Sequence, residues 1–220
     1  MGRRATVVRH RTSSPPSKTL ERAVAAHRAG RLGDAEQGYH TVLVKHPRHA
    51  DAWHGLGAIA RERGEHRIAE ELIQKALGFG AGAAVVWNDL GLALAAQNRL
   101  DEAVRAYMRA LAVDPRSAQT HVNLATALSA QERFQDAAES YRRAIALDAA
   151  IATSAQVHNS LGCMLERAGA RPEALGAFLS AIVLDPTCGA AQTNLDSALA
   201  ALGFPADAEV EPVLVEAASR

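Results

Sequence analysis

Aromatic residues make up only 4% of this 220-residue sequence, although 48% of it is hydrophobic. A core built mostly from alanine and leucine follows, which favours close-packed helices over sheets. Cysteine is scarcer still. Cys163 and Cys188 cannot staple a chain of this size and stand in no C-x-x-C or Cys/His metal spacing, so both read as reduced thiols. An excess of either charge is also missing: 24 Lys+Arg offset 24 Asp+Glu. No protein-wide basic field therefore draws the chain to nucleic acid or an anionic membrane, and neither is an expected partner. No stretch approaches the roughly 18 to 20 continuous apolar residues that span a bilayer. Ala5 to Val8 is too short for the apolar core of a signal peptide, so the expected location is the cytoplasm. Residues 1–15 carry Arg3, Arg4, Arg9 and Arg11 with no acid before Glu21, and are expected to form a basic, disordered tail.

Catalytic constellations are missing as well. His46, His49 and His54, with Asp51 nearby, are the densest set of potential ligands, but their spacing fits no metal-ligand pattern and they read as a solvated turn. Gly78-Phe-Gly-Ala-Gly82 has glycines without the Lys-Ser/Thr that would hold phosphate, and reads as a turn. Cys163 has no basic cluster to lower its pKa and reads as a small packing thiol. No metal or cofactor is expected, and no enzymatic activity.

What the sequence does contain is a repeat. Trp53-His-Gly-Leu-Gly57, Trp87-Asn-Asp-Leu-Gly91, His121-Val-Asn-Leu-Ala125, His158-Asn-Ser-Leu-Gly162 and Gln192-Thr-Asn-Leu-Asp196 align on their leucines. Leu56, Leu90, Leu124, Leu161 and Leu195 fall about 34 residues apart, with one step of about 37. Ala35, Ala69, Ala103, Ala137 and Ala174 keep the same phase, each followed four residues later by Tyr39, Ile73, Tyr107, Tyr141 or Phe178. Leucine and alanine recur at helical spacing within each unit, which predicts two amphipathic helices per repeat. Between them Gly30, Gly64, Asn98, Gly169 and Gly203 share one phase and suit a left-handed helix end. Glu132 breaks that series, so its hairpin either turns differently or accepts strain. Gly57, Gly91, Ala125 and Gly162 are small enough for a neighbouring helix to approach closely. His121 and His158 stand in the phase of Trp53 and Trp87 and read as packing residues. Repeats are expected at 16–49, 50–83, 84–117, 118–151 and 155–188. Helix 189–202 forms the lid, with Ala191, Leu195, Ala198 and Leu202 facing inward. Residues 16–202 thus read as one solenoid, followed by an acidic tail at 203–220.

The phased W-x-x-L-G, A, aromatic and P positions resemble the tetratricopeptide-repeat (TPR) family. Pro47, Pro115 and Pro186 supply the closing proline in three units, while Ala81 and Ala149 replace it in two. The first repeat has Thr19, Arg22 and Ala23 where Trp, Leu and Gly are usual, so its first helix is expected to be frayed or shifted. Ala152-Thr-Ser154 looks like an insertion. The resemblance implies an all-α, right-handed α-α superhelix of about five TPR hairpins plus a capping helix. It also implies a concave groove on the first helix of each pair, lined here by Asp51, His54, Arg61, Asn88, Asp89, Gln119, Asn123, Thr126, Gln156, Asn159, Ser160 and Asn194. Leu92 and Val122 are expected to add apolar anchors. Amides match the alternating donors and acceptors of an extended peptide.

The carboxylate clamp of chaperone-binding TPR adaptors is absent, because those positions hold His54, Ala58, Asn88 and Leu92. Asp89, Asn123 and Asn194 look like the asparagine ladder of O-GlcNAc transferase arms, interrupted at Gly55 and Ser160. The expected function is non-enzymatic binding of an extended segment of another protein. Two alternatives are a substrate-recruiting arm for a separate glycosyl- or sulfotransferase chain, and a self-assembling scaffold. Residues 203–220 are too few for a transferase domain. The Ala/Arg-rich composition suggests a high-GC bacterium, and the oligomeric state is open.

Overall fold

The computed structural model describes residues 18–204, so the expected basic tail at 1–15 and almost all of the acidic tail at 203–220 lie outside the described residues. The chain divides into two compact units, ending and beginning at Ala81 and Gly82. The first holds α1 (Lys18–Arg28), α2 (Leu32–Lys45), α3 (Ala50–Glu62) and α4 (His66–Gly78). The second holds α5 (Ala84–Ala96), α6 (Leu100–Val113), α7 (Ala118–Ala130) and α8 (Phe134–Leu147), then the single turn α9 (Ala149–Ala152), α10 (Ala155–Arg167), α11 (Arg171–Leu184) and α12 (Gly189–Ala201). The long helices pair as antiparallel hairpins, α1 with α2, α3 with α4, α5 with α6, α7 with α8 and α10 with α11, and no strand occurs among the described residues. The dividing turn, Phe79 to Ala83, has Gly80 at φ +97 and lacks the closing proline.

Each hairpin turns by one device. After the first helix, a residue in the left-handed region sends the next backbone N–H back to a carbonyl five residues earlier: Arg31 to Ala26, Glu65 to Ala60, Arg99 to Leu94, Arg133 to Leu128 and Ala170 to Leu165. These bonds satisfy carbonyls that the helix end would orphan. Glu132, at φ +59, occupies the same conformation as Gly64 and Asn98. That hairpin therefore turns like the others, and Glu132 carries a cost of roughly 1 to 2 kcal/mol that glycine would avoid.

The second helix then starts without a side-chain cap. The carbonyl of its first flanking residue accepts from the alanine of the repeat, as in Ala103 N–H to Arg99 O at 3.0 Å. Those alanines, 35, 69, 103, 137 and 174, have no exposed surface. A larger side chain there would push the two helices apart. One helical turn later Tyr39, Ile73, Tyr107, Tyr141 and Phe178 are buried. A Cβ added at Gly91 would lie 2.4 Å from the Tyr107 ring, and one at Gly162 would lie 2.4 Å from Phe178. Glycine at 91 and 162 is thus what lets each ring reach the facing helix.

The first helix is well formed rather than frayed. Leu20, Ala23 and Ala26 are buried, and the close approach moves to the other partner: a Cβ at Gly38 would meet that of Ala23 at 2.7 Å. Of the expected insertion, Ala152 ends the single turn α9, which the Asp148 carboxylate caps by accepting from Ala150 N–H at 2.7 Å, and Ser154 caps α10 by accepting from Val157 N–H. On the lid, Ala191, Leu195 and Ala198 are buried as expected, but Leu199 is buried in place of Leu202, which is only half-buried.

Candidate functional site

The open side of the first helices holds the residues of interest, and each unit has its own set. In the first unit Asp51 is exposed, while His54 and Arg61 are half-buried on α3. In the second, Gln119, Thr126 and Gln156 are exposed, and Asn88, Leu92, Val122, Asn123, Asn159, Ser160 and Asn194 are half-buried. Asp89 departs from expectation. At 7% exposure it belongs to the packing between helices, because its phase is that of Gly55, which lies against the buried Tyr39 ring.

The amides are not a row of independent side chains. Asn123 Nδ2 donates to Asn88 Oδ1 at 2.9 Å, bridging α7 to α5, and Gln119 Nε2 donates to Asn123 Oδ1 at 3.1 Å. Asn194 Nδ2 makes the same bridge from α12 to Asn159 Oδ1 on α10, also at 2.9 Å, and reaches Cys163 Sγ at 3.3 Å. Bridges of this kind fix rotamers that would otherwise be mobile. They leave the Asn88 and Asn159 side-chain N–H groups without a hydrogen bond among the described residues. Charge is sparse around the first bridge, where α5 and α7 carry one charged side chain, the buried Asp89; the helices of the second, α10 and α12, carry Glu166, Arg167 and Asp196. Val85, 53% exposed, lies one turn before Asn88 and shares its face with Leu92.

Other candidate chemistry recedes. Burial pushes the Cys163 thiol up from its ordinary value, Glu166 adds to the effect, and the nucleophilic thiolate is disfavoured. Among the described residues no group of three or more His, Cys, Asp or Glu side chains is arranged to hold a metal ion. No helix among them is long and apolar enough to cross a membrane.

Two models of the tetratricopeptide repeat match, one over residues 82–150 and the other over residues 20–84 and 122–187. The chain belongs to the tetratricopeptide-repeat family. Its fold is similar to that of YrrB, a TPR protein with an unusual peptide-binding site, at a TM-score of 0.70 and 18% identity over 81% of this chain and 91% of that one. MamA is similar at a TM-score of 0.66 and 21% identity, over 78% and 92%. A thermophilic TPR protein of Thermus thermophilus is similar at 0.57 and 20%, over 84% and 99%. No curated protein matches the chain.

TPR proteins generally mediate protein–protein interaction, and the repeat frame explains several substitutions here. At the family tryptophan position, Trp53 Nε1 donates to the Pro47 carbonyl at 2.8 Å. His121 Nε2 and His158 Nε2 make the equivalent bond to the carbonyls of Pro115, at 3.2 Å, and Ala152, at 2.9 Å. Histidine therefore keeps the indole's anchoring bond with a smaller ring. The amide bridges were the feature that residue-by-residue reading missed. Their signal is the spacing: Asn88 and Asn123, like Asn159 and Asn194, are 35 residues apart, one more than the repeat.

Proposed function

We propose that this TPR chain is a non-enzymatic binding module, and that the first-helix face of residues 82–204 takes an extended, largely uncharged segment of a partner protein. The two amide bridges carry the reading. Each holds one asparagine whose side-chain N–H groups have no acceptor among the described residues, ready to donate to the carbonyls of an extended backbone. Val85, Leu92 and Val122 offer apolar contact beside the first bridge, and the lack of exposed charge on α5 and α7 disfavours a strongly charged ligand. Apolar contact is needed. An amide hydrogen bond contributes only roughly 0.5 to 1.5 kcal/mol net, whereas association costs at least ~4 kcal/mol in lost freedom.

The test selects peptides from a displayed library against the full chain and measures their affinity by calorimetry. Asn88→Ala with Asn123→Ala should weaken binding about tenfold, the equivalent of two lost bonds. The bridge joins α5 to α7, so the pair should also lower the melting temperature slightly. Full-strength binding by the folded double variant would contradict the reading.

A further inference from the structure

A second surface, on the first unit, has a different chemistry. The turn after α2 reads Lys45-His-Pro-Arg-His49, and Lys45, His46 and Arg48 are exposed. At the equivalent position of later turns stand Asp114, Asp148 and Asp185, whose carboxylates accept backbone N–H bonds from Arg116, Ala150 and Thr187. His46 gives up that bond and makes the turn basic. Two of the cations are already positioned: the Arg48 guanidinium lies 5.5 Å from the centre of the Phe79 ring, and Lys75 Nζ lies 4.9 Å from that of Trp53. The indole is itself anchored to the Pro47 carbonyl. Phe79 remains 37% exposed. Arginines elsewhere, such as Arg63, Arg99, Arg133 and Arg143, sit beside a carboxylate, whereas Lys45, Arg48 and Lys75 form no ion pair among the described residues.

A corner of cations with no ion pair among the described residues, two of them over aromatic rings, fits an acidic chain with apolar side chains between its acids. The sequence contains such a segment: Asp207-Ala-Glu-Val-Glu-Pro-Val-Leu-Val-Glu216 has four acids, no base and three valines with a leucine. This segment lies outside the described residues. We infer that the corner formed by Lys45, His46, Arg48, Trp53, Lys75 and Phe79 is a second docking surface, and that its occupant is the acidic segment 207–216 of the chain. The site is distinct from the amide face in charge, in residues and in unit.

The test uses the full chain with Glu209, Glu211 and Glu216 changed to Gln, so that its own segment does not compete. A fluorescent peptide of residues 205–220 is titrated onto it and followed by anisotropy. Binding should weaken at least about tenfold on Arg48→Glu with Lys75→Glu, and strongly as salt rises. A peptide carrying Glu209→Lys and Glu211→Lys should bind the unaltered corner poorly and recover on the charge-reversed one, which separates docking from misfolding. In the unaltered chain, dilution then tells a segment supplied by the same chain from one supplied by a second copy, and either supports the inference. Absence of binding, binding indifferent to Arg48 and Lys75, equal binding of a scrambled peptide, or tighter binding of a short single-stranded oligonucleotide would overturn it.

Discussion

The two units tie neighbouring hairpins together with different chemistry. In the first, the links are charged or titratable: Arg63 reaches back to Glu36 at 2.7 Å, and His27 meets Glu62 at 3.1 Å. In the second they run through amides: Asn123 to Asn88, Asn194 to Asn159, and Gln131 Nε2 to Asp101 Oδ1 at 2.7 Å. Arg63 and Gln131 occupy the same place in their repeats, two repeat lengths apart. One backbone frame thus tolerates either kind of link, because the buried alanines and rings set the helix spacing and leave surface positions free. The first unit consequently links its hairpins through charged side chains, and the second through bridged amides.

The largest expected effect tests whether the frame really is common to both. Tyr39→Ala in the first unit and Tyr107→Ala in the second should each cost roughly 3 to 5 kcal/mol in denaturant unfolding, since both rings are buried between helices. A loss below about 1 kcal/mol at either would place that ring at the surface and break the equivalence.

An intermediate effect sharpens the turn comparison. Glu132→Gly should stabilise the second unit by about 1 kcal/mol and Gly64→Ala should destabilise the first by a similar amount, because both positions hold φ near +60 to +80. Thermal melts of the two variants should move in opposite directions. The same direction for both would mean that the turn residue is not what limits the hairpin.

These features differ in how far the sequence discloses them. The frame is legible because the Ala, aromatic and Gly series each repeat at fixed phase. Glu132 left two outcomes open, since composition alone does not say whether five other turns force a sixth into their shape. The amide face was legible as a set of positions but not as bridges. Asn88 and Asn123 face one another only once the helices stack, and Asp89 sits one residue from Asn88 yet is buried. The cations of the first unit were visible as residues, and their placement over Trp53 and Phe79 was not.

The smallest effect separates the units by pH. The hydrogen bond from Arg63 holds the Glu36 carboxyl below its ordinary range. A depressed folded-state value means that the pair's contribution is fully present above the unfolded carboxylate value of about 4.3 and is lost as pH falls through the folded value. The pair is partly exposed, so salt should screen it. Glu36→Gln should therefore lower the melting temperature slightly at neutral pH and low salt, and the difference from the parent chain should vanish in acid. A difference that persists in acid would show that the link is not ionic.

The central claim, that bridged amides on the second unit receive an extended peptide, is tested most directly by the side-chain amide resonances of the full chain during titration with a selected peptide. The Asn88, Asn123, Asn159 and Asn194 NH2 signals should shift together and saturate at one affinity, while Asn98, in an exposed turn, should stay in place. Saturating binding that leaves those four signals unmoved would contradict the account.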